Sequence, residues 1–173
     1  MEKFYTINSS GKTDEVFIES YFVYDEYGTH KAKVGVTAPT EFFKSEGKSL
    51  YDLVRFQDVS NFAISERLYS TLIENNITGW TAYKINIAGV KQRYFAFQVT
   101  GRCGKIIYPK ESGFFLGYNF DLGSWDKSDI FSPEGNSSTF CTKRVRDIIL
   151  KGNFTNIELR DIKNIEVYSL GEE

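Results

Sequence analysis

Two stretches of this chain run in register with each other. One is SERLYSTLIENNITG, residues 65–79, and the other is TKRVRDIILKGNFTN, residues 142–156. Ser65 aligns with Thr142, Arg67 with Arg144, Leu68 with Val145, Leu72 with Ile149, Asn76 with Asn153 and Thr78 with Thr155. Each copy reads as a hydroxyl N-cap, a short amphipathic helix, an Asn-containing stop and the start of a strand. Ser65 and Thr142 can each accept a hydrogen bond from an amide of the first helical turn. Ile64, just ahead of the first cap, can staple against Tyr69. Leu68 with Leu72, and Val145 with Ile149, give each helix one apolar stripe. Asn75-Asn76 and Gly152-Asn153 suit the left-handed residue that often ends a helix. Helices this short are marginal alone in water, so they must dock on something, and a sheet is expected. The two stretches read either as a duplicated helix–strand unit or as a chance likeness. Arg67 and Arg144 read either as a paired anion site or as locally paired surface arginines.

The remaining chain is strand-rich. Aromatic residues make up 16% of it, which favours strands and large buried areas. Residues 3–8 read as an edge strand. Residues 15–25 read as a strong strand, turned at Tyr27-Gly28 to pair with 31–36. Residues 41–44 suggest one helical turn, and 50–56 a short strand or packed linker. The clearest signal is the hairpin of 80–87 and 94–100. There Tyr83, Ile85 and Ile87 share one face, while Phe95, Phe97 and Val99 alternate against Tyr94 and Gln98. Residues 101–104 read as a loop, 105–108 as a short strand, 113–121 as an aromatic, Gly-punctuated run, and 157–159 and 165–170 as closing strands. The expectation is an α+β fold, mainly antiparallel sheet with two short capped helices, in one domain over 1–173. Its possible lobes are 1–100 and 101–173.

The net charge is −2, so no global basic field points to nucleic acid. Lys91, Arg93, Arg102 and Lys105 flank the aromatic hairpin and mimic a stacking surface for single strands, but the surrounding charge balance argues against it. No apolar run has membrane-spanning length, and the opening residues lack a signal-peptide core, so a cytoplasmic protein is expected. One histidine, His30, and two distant cysteines, Cys103 and Cys141, suit neither a zinc site nor a nucleophile motif. No cofactor is implied. Cys103 lies between Arg102 and Lys105, which leaves open either an activated or an inert thiol.

The most suggestive surface candidate is the acidic stretch around Trp125. Asp121, Asp126 and Asp129 lack the spacing of a calcium loop. As a binding loop, Trp125 is an anchor ringed by carboxylates that attract a basic partner. As a structural loop, Trp125 packs inward and Ser124, Ser128 and Asp129 cap turns. A carboxylate enzyme acting on carbohydrate is the alternative, and it requires two carboxyl groups across a cleft.

The runs SNFAISERLYSTLIENNITGW, YFAFQVTGRCG, GSWDKSDIF and CTKRVRDIILKGNFTNIEL resemble the immunity proteins of bacterial polymorphic-toxin systems. The likeness spans residues 59–168 and is carried by Ser65, Glu66, Arg67, Trp80, Trp125, Asp126 and Asp129. It is a pattern of packing residues rather than an active-site signature. It implies a small cytosolic protein, not an enzyme, that binds and neutralises a cognate toxin.

Overall fold

The computed structural model describes residues 2–22, 38–58 and 61–171. The hairpin turn at Tyr27-Gly28, its return strand over 31–36 and His30 lie outside the described residues.

Strands β1 (Phe4–Asn8), β2 (Phe17–Ser20), β3 (Glu41–Glu46), β4 (Leu53–Phe56) and β5 (Phe62–Ser65) lead into helix α1 (Glu66–Glu74). Then come β6 (Trp80–Ile87), β7 (Tyr94–Val99), β8 (Gly101–Lys105), β9 (Gly113–Leu116), β10 (Ile130–Glu134) and β11 (Phe140–Thr142). Helix α2 (Lys143–Lys151), β12 (Glu158–Asp161) and β13 (Glu166–Ser169) finish the chain. The fold is α+β, with mostly antiparallel pairing.

The aligned stretches are parts of a larger repeat. One sheet has the order β12-β1-β11-β10-β8, and the other is a closed barrel in the order β2-β3-β6-β7-β5-β4. Apart from β3, the two orders match strand for strand: β6 with β12, β7 with β1, β5 with β11, β4 with β10, β2 with β8. The registers match as well. Leu53 pairs with Ile64 where Ile130 pairs with Cys141, and Ala63 meets Ala96 where Phe140 meets Thr6. The two parallel pairs also correspond, Phe17 opposite Arg55 and Arg102 opposite Ser132. The chain is therefore two tandem units, β1-β2-β4-β5-α1-β6 and β7-β8-β10-β11-α2-β12, each lending its first strand to the other's sheet. A boundary near residue 100 does not separate them, because β1 lies in the second sheet and β7 in the first.

Packing follows this exchange. The odd residues of β7, Phe97 and Val99, enter a core shared by both units, and the even ones, Tyr94 and Ala96, face the barrel interior. The shared core takes Leu68 and Leu72 from α1, Val145 and Ile149 from α2, and Leu53 and Ile130 from equivalent strands. Ile64 and Tyr69 also join it. A second cluster fills the barrel with Val16, Ile18, Phe42, Val54 and Phe56. A third, aromatic one holds Phe4, Phe131 and Phe140 in the second unit.

Several local expectations need correcting. β1 is an interior strand, paired with β11 and β12, not an edge. Residues 41–44 belong to strand β3 rather than a helical turn, because β3 bridges β2 and β6 and closes the barrel. Residues 101–104 form β8 rather than a loop. Gly101 approaches Ile130 so closely that a β-carbon would sit 2.2 Å from its carbonyl oxygen. β5, β10 and β11 carry no alternation because nearly all their residues are buried.

The second unit does not close. Where β6 runs on through Ile85 and Ile87, β12 stops in the 3-10 turn Ile162–Asn164, whose Lys163 amide bonds Asp161 at 2.9 Å. The segment after β8 instead forms the separate ribbon of β9 and β13.

Gly79 marks one crossing of the units, with φ +84° and a would-be β-carbon 1.9 Å from the Ile130 oxygen. Gly79→Ala is expected to destabilise the protein by about 2 kcal/mol or more. A urea unfolding curve checks this, and an unchanged midpoint refutes the tight crossing.

Candidate functional site

The strongest polar constellation occurs twice and joins the units. Asp52, just ahead of β4, accepts hydrogen bonds from Ser65 Oγ (2.6 Å), Arg67 Nη2 (2.6 Å) and Arg67 Nε (3.3 Å). From the other unit it accepts the Thr155 amide (2.8 Å) and the Thr155 hydroxyl (2.9 Å). Asp129, just ahead of β10, repeats the pattern. It accepts Arg144 Nη1 at 2.8 Å, and the Thr78 amide and hydroxyl both at 3.1 Å. In each case the aspartate amide donates back to the threonine hydroxyl at 3.0 Å. Arg67 also donates to the carbonyls of Gly152 (2.8 Å) and Asn153 (3.3 Å) at the end of α2. Arg144 donates to the Asn75 carbonyl at the end of α1. A cation at a helix C-terminus is favoured by the helix dipole. Of the two readings for the arginines, local pairing is the one observed.

The helix ends explain the matched sequence. Asn76 and Asn153 take left-handed φ values of 50° and 48°, while Gly152 stays right-handed. Ser65 caps α1 by accepting from the Leu68 amide at 3.3 Å. Thr142 occupies the cap position of α2 without a side-chain cap bond.

Burial on its own pushes the Asp52 carboxyl upward. The bonds from Arg67, Ser65 and Thr155 outweigh it and hold the group below the usual carboxylate range. Asp126 shows the same balance, with burial opposed by Ser128 and Arg102.

The structure assigns each residue of the Trp125 stretch a place. Asp121 accepts the Gly123 amide at 2.8 Å and starts the 3-10 turn Leu122–Ser124. The Trp125 ring packs edge-on to Phe4 at 5.0 Å and against Phe131 at 5.5 Å. Lys127 covers it at 4.6 Å. Asp126 accepts the Arg102 amide at 2.8 Å and the Ser128 amide at 3.0 Å. Asp129 belongs to the second clamp. The loop thus fastens β8 and β10, and of its acids Asp121 and Asp126 stand at the surface.

A cleft of about 580 Å³ lies beside the first clamp, between Tyr51, Arg67, Lys91, Arg93 and Tyr94. Its acids are engaged: Asp52 in the clamp and Glu66 with Arg93 at 2.7 Å. Burial raises the Tyr94 hydroxyl to about 12, and it donates to the Tyr51 carbonyl at 2.9 Å. Cys103 and Cys141 are buried thiols, not joined in a disulfide, and burial pushes the Cys141 thiol up. Among the described residues no three His, Cys, Asp or Glu side chains gather as a metal-binding group. No helix of the described residues is long and apolar enough to cross a membrane.

Geometry and topology together define a class, a duplicated α+β scaffold with exchanged strands and reciprocal clamps. No family model and no curated protein matches the chain.

Sequence reasoning missed Asp52. A signal existed, because Asp52 stands as far ahead of Ser65 as Asp129 stands ahead of Thr142.

Asp52→Ala leaves Ser65, Arg67 and Thr155 without their acceptor and is expected to cost about 2–4 kcal/mol. A double-mutant cycle with Arg67→Ala is expected to show coupling of about 1–3 kcal/mol by urea unfolding. A cycle that adds without coupling refutes the clamp.

The pH dependence follows from the depressed pKa. The unfolded Asp52 takes up its proton near its ordinary value of about 3.9. The folded group resists protonation until lower pH, so its stabilisation is present above about pH 4 and is lost as pH falls below that. Unfolding free energy is expected to drop between pH 7 and pH 3, and less so in Asp52→Asn. An equal drop in the variant excludes Asp52 as a contributor.

Proposed function

We propose that this chain is a binding protein without turnover of its own, an immunity protein that neutralises a cognate bacterial toxin by direct contact in the cytoplasm. One observation carries the reading beyond the resemblance. Among the described residues, the groups that stand out for chemistry are committed to fastening or packing: both clamp carboxylates and both clamp arginines hold the scaffold, and both thiols are buried. The carboxylates around Trp125 each bind nearby backbone or clamp partners, which favours this reading over a carboxylate enzyme acting on carbohydrate. A rigid, doubly fastened scaffold suits binding, because little ordering entropy remains to be lost on association. Asp121 and Asp126, at the surface of the Trp125 loop, offer a basic toxin surface an acidic foothold.

The test is co-expression with the toxin domain encoded beside this chain. Expected are rescue of growth and a stoichiometric complex whose affinity falls as salt rises. Asp121→Lys combined with Asp126→Lys is expected to weaken that complex at least tenfold, with folding checked by a thermal melt. Neither rescue nor complex with the neighbouring toxin overturns the proposal.

A further inference from the structure

The ribbon of β9 and β13 belongs to neither repeat. It is what the second unit builds instead of closing its barrel, so the shared architecture does not explain it. Its ladder sets Phe114 opposite Tyr168 and Leu116 opposite Glu166. These pairs lie on one face, since opposite residues of an antiparallel pair share a side. Phe114 and Tyr168 meet at 5.0 Å, yet Phe114 is 70% exposed, Leu116 70%, Tyr168 51% and the following Leu170 87%. Four such side chains leave on the order of 500 Å² of apolar surface on one face, near the top of what a monomer normally shows.

We propose that this face is an isologous dimer interface, covered by the same face of a second copy of the chain. Three observations select a second copy over another occupant. The apolar pattern is self-matching: the aromatic pair sits in the middle, with Leu116 at one end on β9 and Leu170 at the other end beyond β13. An isologous contact needs such a pattern, because one patch must complement itself. The charged rim is balanced. The exposed charged residues in and next to the ribbon strands are Lys110 and Lys163 of one sign and Glu111 and Glu166 of the other. This balance gives a strongly charged partner no sign to read and places no net repulsion between two copies. The area also fits, since two such faces bury on the order of 1,000 Å², the lower bound for a specific interface. An interface of that size is expected to dissociate in the micromolar range, ~1–100 μM. The proposal does not rest on the toxin reading.

Sedimentation velocity of the whole chain from 1 to 200 μM tests it. The expected result is a shift from monomer to dimer mass that stops at the dimer and persists in high salt, unlike the salt-weakened toxin complex. Leu116→Asp and Leu170→Asp are expected to weaken dimerisation at least tenfold without moving the melting temperature, since both side chains are exposed. Ile73→Asp, at an exposed apolar position on α1 (55%), is expected to leave dimerisation unchanged. A wild type that stays monomeric at 200 μM overturns the proposal. So does growth beyond the dimer, which signals open strand-edge pairing. Equal loss in Ile73→Asp overturns it too, because the association is then not specific to the ribbon.

Discussion

The whole architecture turns on two carboxylates, Asp52 buried and Asp129 half-buried, that each serve both halves of the chain. Asp52 takes an arginine and a cap hydroxyl from its own unit and a threonine from the other, and Asp129 takes the matching set in reverse. A carboxylate this far from water is tolerable only when its lone pairs are filled and a cation lies alongside. Here the bonds come from elements far apart in sequence, so neither acid can be satisfied until both units have folded against each other. The arginines extend the dependence by reaching the carbonyls at the end of the opposite helix. Strand exchange and clamps therefore enforce each other. Moving β1 or β7 back to its own unit would shift the helix ends that the arginines hold.

Against that symmetric frame the differences between units are informative. The first unit closes its barrel by adding β3, while the second halts β12 and diverts its chain into the β9–β13 ribbon. A closed barrel has no free edge to manage, whereas a two-stranded ribbon leaves two outer edges and an apolar face. A two-stranded ribbon is marginal alone. Here its base is tied down, because the Gly117 amide bonds Ile165, the Tyr118 amide bonds Ile162 and the Ser169 hydroxyl bonds Pro109. The ribbon thus holds its shape while keeping its aromatic face outward.

What could be read from the sequence was what local pattern encodes. The helices and β6 announced themselves because one face of each is buried and the other wetter, which leaves a period in the residues, and β7 was found as the hairpin partner of β6 although both its faces are covered. The short strands β5 and β11 hid because both of their faces are covered, so FAIS and FCT carry no alternation. β8 hid behind two glycines that look like a loop. Gly101 is needed for a different reason, the approach of the Ile130 carbonyl from a strand distant in sequence. Exchange of β1 could not be read at all, since both of its partners lie in distant parts of the chain, and the β6–β7 hairpin gave no sign that β7 belongs with the second unit. Among the candidate site residues, Asp129 and Trp125 were visible as unusual, but their roles were not. A carboxylate beside an aromatic looks the same in sequence whether it faces a partner or a threonine of the other unit.

The duplicated clamp also argues about how this scaffold can change. A substitution at Arg67 or Asp52 loosens the end of α2 as well as the start of α1, so its cost spreads across both units. Residues of the ribbon and of the exposed helix faces carry no such double duty. A protein that must keep one rigid frame while altering what it contacts is expected to confine its variation there. In this chain the exposed apolar residues Ile73, Phe114, Leu116, Leu150 and Leu170 all lie outside the clamps and the three cores. The physical division is thus between polar clamp groups that are symmetric across the two units and exposed apolar groups that are not.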